Sequence, residues 1–96
     1  MYKLELLQKP FSDSDLNQIW SINQENIPEV GDVADLDRLN QLINWSSHVL
    51  VVREHEIAGF IILMRENQNY DSLNYHFFNS QNNPFLYVDR IAIKEG

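Results

Sequence analysis

The chain has 96 residues, 44% of them hydrophobic, and carries 14 acidic against 7 basic residues for a net charge of -7. That length makes one domain, burying only about 60–65% of its unfolded surface. The acidic balance argues against a nucleic-acid partner, since phosphate binding rests on clustered Lys and Arg, and the absence of cysteine excludes a disulfide framework, a thiolate zinc site and a cysteine nucleophile.

From Met1 to Leu7, charges interleave with apolar residues, and no run is long enough for a signal peptide or a membrane span. A soluble cytoplasmic protein with no membrane partner is the expectation. Tyr2, Leu4 and Leu6 alternate with Lys3 and Glu5 ahead of Pro10, which predicts a first strand over residues 2 to 8 with one polar face. Ser12 then supplies a helix cap with Asp15 three positions on, and Leu16, Ile19, Trp20 and Ile27 share one face of a helix ending near Pro28. A second helical pattern follows in Val33, Leu36, Leu39, Leu42 and Ile43, with Asp32 as its cap, Asp35 in its first turn and Ser46-Ser47 at its end. Asp35, Asp37 and Arg38 read as its solvated face.

His48 to Arg53 and Ile57 to Met64 are near-continuous apolar runs joined by a short polar turn. They predict an antiparallel hairpin in the middle of a sheet, with helices covering both faces. Gly59 marks a bulge or a close backbone approach. Residues 66 to 84 are rich in Asn and show no periodicity, so a long irregular segment is expected there. Its aromatics, Tyr70, Tyr75, Phe77 and Phe78, argue against disorder and suit either a loop patching the core edge or a lid over a substrate.

The last strand, Phe85 to Ile93, is apolar at almost every position but is interrupted by Asp89-Arg90. Successive side chains of a regular strand face opposite ways, so each of these two charges is expected to find its own partner. The fold class is therefore α+β, a mixed, mainly antiparallel sheet with packed helices, ordered strand, helix, helix, strand, strand, long loop, strand.

That order, the Gly59-Phe60 hairpin strand and above all Tyr87-Val88-Asp89-Arg90-Ile91-Ala92-Ile93 resemble the first half of the GNAT superfamily of acyl-CoA-dependent N-acyltransferases. The resemblance implies transfer of an acetyl group from acetyl-CoA to a small amine. It implies that the backbone of Ile91, Ala92 and Ile93 holds the pantetheine arm and acyl carbonyl, and that Asp89 is the base or a water-relayed proton acceptor. It also implies that Tyr70, Asn74, Tyr75, Phe77 and Phe78 border the acceptor site. The family's glycine-rich pyrophosphate turn and its thiolate-protonating tyrosine have no counterpart here. The expectation is thus a single incomplete domain over residues 1–96, lacking the cofactor-binding half, binding acetyl-CoA without useful affinity and inactive by itself.

Other chemistries find less support. His48, His55 and His76 match no paired metal-ligand spacing, Ser12, Ser14, Ser46 and Ser47 have cap or turn explanations, and nothing selects two carboxylates for glycoside hydrolysis. The alternative is a non-enzymatic α+β interaction module that self-associates through the edge of its uncovered C-terminal strand.

Overall fold

The computed structural model describes residues 1–81 and 83–95. Its elements are β1 (Lys3–Leu6), α1 (Asp13–Glu25), α2 (Leu36–Trp45), β2 (His48–Arg53), β3 (Ile57–Arg65), α3 (Leu73–Asn79) and β4 (Leu86–Ile93). The strands form one sheet in the order β1-β2-β3-β4, and every pairing is antiparallel. The expected mixed sheet is corrected to a purely antiparallel one. Two consecutive helices between β1 and β2 return the chain to the end it left, and α3 is seven residues, or roughly 10 Å, too short to carry it back along β3.

Local chemistry sets the helix starts. The Ser12 side chain accepts from the Asp15 N–H and begins α1 as the sequence predicts. For α2 the cap is Asp35 rather than Asp32: the Asp35 carboxylate accepts from the Arg38 N–H, so the helix starts at Leu36 and Val33 lies in the preceding loop. Val33 is nonetheless fully buried, which explains why its apolar character mimicked helical periodicity. Asp35 and Asp37 are exposed as a solvated face requires, and on the same face Arg38 pairs with Asp71 at 2.8 Å and lies over the Trp45 ring. Residues 66–84 are not wholly irregular: Ser72 accepts from the Tyr75 N–H and starts α3.

The register sorts the side chains into two faces. Val49 and Val51 of β2, Phe60, Ile62 and Met64 of β3, and Ala92 of β4 are buried beneath Leu16, Ile19 and Ile22 of α1 and Leu39, Leu42 and Ile43 of α2. Each buried aliphatic side chain contributes about 1.5–3 kcal/mol. The other face carries three cross-strand rows: Leu4, Val52, Gly59 and Ile93; Leu6, Leu50, Ile61 and Ile91; His48, Leu63 and Val88. Leu4, Leu6, Val52, Val88, Ile91 and Ile93 are exposed, with Leu4 at 71% and Ile93 at 69%. The expectation of helices on both faces is therefore corrected, because among the described residues all helical packing falls on one side. β1 fits this division, its charged Glu5 reaching Arg53 on the helix side while its leucines face outward.

Candidate functional site

Two irregularities shape the middle of the sheet. Beside Gly59, the β2–β3 register slips so that Ala58 has no partner on β2, and a Cβ on Gly59 would lie 3.2 Å from the Ala92 carbonyl oxygen. In β4, Arg90 faces Ile62 and Val88 faces Leu63, which leaves Asp89 as the extra residue of a β-bulge.

The bulge explains a second departure from expectation. Asp89 and Arg90 do pair directly: Arg90 Nε donates to Asp89 Oδ2 at 2.7 Å, and the two side chains are only 3% and 10% exposed. Strict alternation would have separated them, but the inserted residue breaks the pleat and brings both to the helix side. Each charge is then tied further into the fold. Tyr70 donates its hydroxyl proton to Asp89 Oδ1, while Arg90 Nη1 donates to Asn23 Oδ1 at 2.9 Å and to the Gly31 carbonyl at 3.0 Å. Asn23 in turn donates to Gly31 O and to Gln24 Oε1, and Gln24 Oε1 accepts from the Val33 N–H. The network joins β4, α1, the α1–α2 loop and the segment before α3. Among the described residues no buried side-chain polar atom lacks a partner. Burial first, and then the neighbouring Asp89 carboxylate, push the Tyr70 hydroxyl above its ordinary pKa.

Three of the residues singled out in the sequence thus meet in one place. Tyr70 is buried against Asp89, and Tyr75, fully buried, packs its ring at 5.5 Å from Tyr70, donates to the Arg65 carbonyl and accepts from the Gln68 N–H at 2.9 Å. Tyr75 is a core residue whose polar end holds the β3–α3 turn, where Asn67 adopts a left-handed φ of 69°. Asn74 and Phe77 lie exposed on α3; Phe78 is exposed too, with its ring 6.1 Å from that of Tyr87. These three do not converge with Asp89. Two of the grooves lie elsewhere, one of about 500 Å³ beside Trp20, Asp35 and Asp37 and one of about 240 Å³ between α1 and the β2–β3 turn. Neither is lined by the five residues expected to border an acceptor.

Ile91, Ala92 and Ile93 divide by direction. The Lys94 N–H donates to the Ala58 carbonyl at 2.7 Å, which makes Lys94 and Ala58 a hydrogen-bonded pair. Antiparallel pairs alternate, so Ala92–Phe60 is also bonded, whereas the backbone groups of Ile91 and Ile93 point away from β3 to the open edge. Ala92 is buried beside Phe60, and its amide belongs to the ladder.

Arg90, Asn23 and Tyr70 act as a unit that the motif alone did not reveal. One signal was present: Asn23 falls on the apolar stripe of Leu16, Ile19 and Ile22, and a buried amide at such a position needs a partner of high value. Among the described residues no three His, Asp or Glu side chains gather as a metal site, and no helix is long and apolar enough to cross a membrane. No protein-family model, no curated protein sequence and no solved structure matches the chain.

Proposed function

We propose that the chain is the first half of a GNAT-type N-acyltransferase domain, working on acetyl-CoA and a small amine. The observation that carries this reading is the open edge of β4 directly after a bulge, with the outward N–H and C=O of Ile91 and the N–H of Ile93 presented beside a buried acidic residue. Amide groups on a bare strand edge suit an extended, amide-bearing arm, and fixed backbone donors also suit a carbonyl on which negative charge develops. In the reaction the amine nitrogen attacks the thioester carbon, the carbon–sulfur bond breaks, one ammonium proton leaves to a base and the thiolate takes up a proton.

Ile91 and Ile93 serve the donor side in this reading, and Ala92 supports them through its ladder bonds. The Asp89 side chain is 3% exposed and is bonded to Tyr70 and Arg90, so a proton from an amine outside reaches the carboxylate through the Tyr70 hydroxyl or an enclosed water. Asp89 is then an acceptor relayed through a partner rather than a base in direct contact with the amine. Tyr70 belongs to the site, Tyr75 supports it, and the exposed Asn74, Phe77 and Phe78 are left to an acceptor approaching along α3. An amide-resolved NMR titration with millimolar acetyl-CoA tests this. Shifts centred on Ile91 and Ile93 are expected; an undisturbed β4, with shifts elsewhere or none, overturns the reading.

The second reading, an interaction module that self-associates, is favoured by the bare outer face of the sheet. Leu4, Leu6, Val52, Val88, Ile91 and Ile93 are exposed together there, and large contiguous apolar patches mark contact sites. Light scattering over a concentration series distinguishes it, a concentration-independent monomer counting against it.

A further inference from the structure

The edge of β4 is not uniformly open, and what closes it comes from α1. Odd-numbered residues after the bulge turn their backbone groups outward, so the edge offers in succession the Ile91 N–H and C=O, the Ile93 N–H and C=O, and the Glu95 N–H. The last two are taken. Asn26, the C-cap residue of α1, donates from Nδ2 to the Ile93 carbonyl at 3.0 Å while also bonding the Ile22 carbonyl at 2.8 Å. Glu25, the last residue of α1, accepts the Glu95 N–H on Oε1 at 3.3 Å.

A donor to residue 93 and an acceptor from residue 95 are what one residue of a parallel neighbouring strand would supply opposite Lys94. The geometry points to Glu25 and Asn26 as a side-chain plug that stands in for a strand and terminates the binding edge of β4. Downstream of the bulge this leaves one complete slot, the Ile91 C=O and the Ile93 N–H flanking Ala92. Its complement is one extended unit flanked by two secondary amides, the N–H of the first towards the Ile91 carbonyl and the C=O of the second towards the Ile93 N–H, and the plug prevents a longer strand from running on past Ile93. An unguarded edge invites further pairing, so the plug fixes both the position and the length of what docks. The identity of the occupant as the amide arm of an acyl carrier rests on the function proposed above; the plug itself does not.

Amide hydrogen exchange measured by NMR separates the two. In the unliganded chain, Arg90, Ala92 and Lys94 are expected to be protected, Ile91 and Ile93 to exchange rapidly, and Glu95 to exchange about tenfold more slowly than an unbonded terminal amide. Glu25→Ala should abolish the Glu95 protection without altering Ala92. Asn26→Ala and Asn26→Asp should both shift the Lys94 amide, whose nitrogen adjoins the freed Ile93 carbonyl, and the double Glu25→Ala, Asn26→Ala variant should self-associate more than the parent. Glu95 protection that survives Glu25→Ala, or an Asn26→Ala spectrum unchanged at Lys94, overturns the plug. Millimolar acetyl-CoA should slow exchange at Ile93 and not at Glu95. If the exchange pattern holds while acetyl-CoA leaves Ile93 untouched, the plug stands and the acyl-carrier occupant falls.

Discussion

The two faces of the sheet are built from the same residue types and meet different fates. Ile62 and Arg90 are cross-strand neighbours on the inner face, one fully buried and the other locked into a network of Asp89, Tyr70, Asn23 and Gly31. One row away on the outer face, Ile61 and Ile91 are also neighbours, yet Ile91 is 55% exposed. β-propensity alone does not tell the faces apart. What distinguishes them is the helix pair α1–α2 lying on one side, with its own apolar stripe turned inwards.

The sharpest way to break the comparison is to shorten a side chain on each face. Ile62→Ala leaves a cavity among Phe60, Met64 and the helix residues and is expected to cost about 3–4 kcal/mol in urea unfolding. Arg90→Ala follows at about 3 kcal/mol, because it strands the Asp89 carboxylate in a site that is 3% exposed. Simultaneous Asp89→Asn should recover part of that loss, since an amide is far cheaper to bury than an unpaired charge. If Arg90→Ala unfolds no more readily than the parent, the network is not the tie between β4 and the α1–α2 loop.

The strands, α1 and most of α2 were legible because each pattern stayed local. His48 to Arg53 and Ile57 to Met64 read as strands from β-branched runs, and Ser12 announced α1 through its cap. Three things escaped that reading. Val33 is apolar because it plugs the core from a loop, so it was counted into α2 and displaced the cap from Asp35 to Asp32. Ser72 gave a signal for α3, but the surrounding Asn residues mask it, and seven residues show less than two full helical turns. The Asp89–Arg90 contact depended on a bulge, a register event between two strands that neither strand's sequence announces. For the site, the motif marked the right strand; which of its amides face outward followed only from the pairing of Lys94 with Ala58.

Titration sharpens the inner face from another direction. The Tyr70 hydroxyl is held above its ordinary pKa by burial and by Asp89, so the folded state keeps a proton that the unfolded chain loses near pH 10. A raised folded pKa contributes stability that is complete below the unfolded value and is lost as the pH rises through the alkaline range. Stability should therefore fall from about pH 10 upwards, and Tyr70→Phe should flatten that decline. An equal alkaline slope in the two proteins would mean that neither burial nor Asp89 holds the Tyr70 hydroxyl above its ordinary pKa. A helix cap ranks next: Asp35→Ala removes the acceptor of the Arg38 N–H and should cost about 1 kcal/mol.

The smallest effect on folding belongs to the outer face, and there smallness is the informative result. Ile93→Ala trims a side chain that is 69% exposed, so the loss in unfolding free energy should stay within about 0.5 kcal/mol, against several for the equivalent change at Ile62. Ile91→Lys and Val88→Lys should be as mild in dilute solution, since each new charge points into water. If the face serves as a contact surface, the same two substitutions should weaken association sharply, because a lysine buried between two apolar layers must be paired or left outside. Unfolding at low concentration and sedimentation at high concentration then give opposite rankings of the two faces: Ile62→Ala dominates the first and Ile91→Lys the second. A large loss of folding stability for Ile93→Ala would mean that the outer face is packed within a single chain and that the division between the faces is wrong.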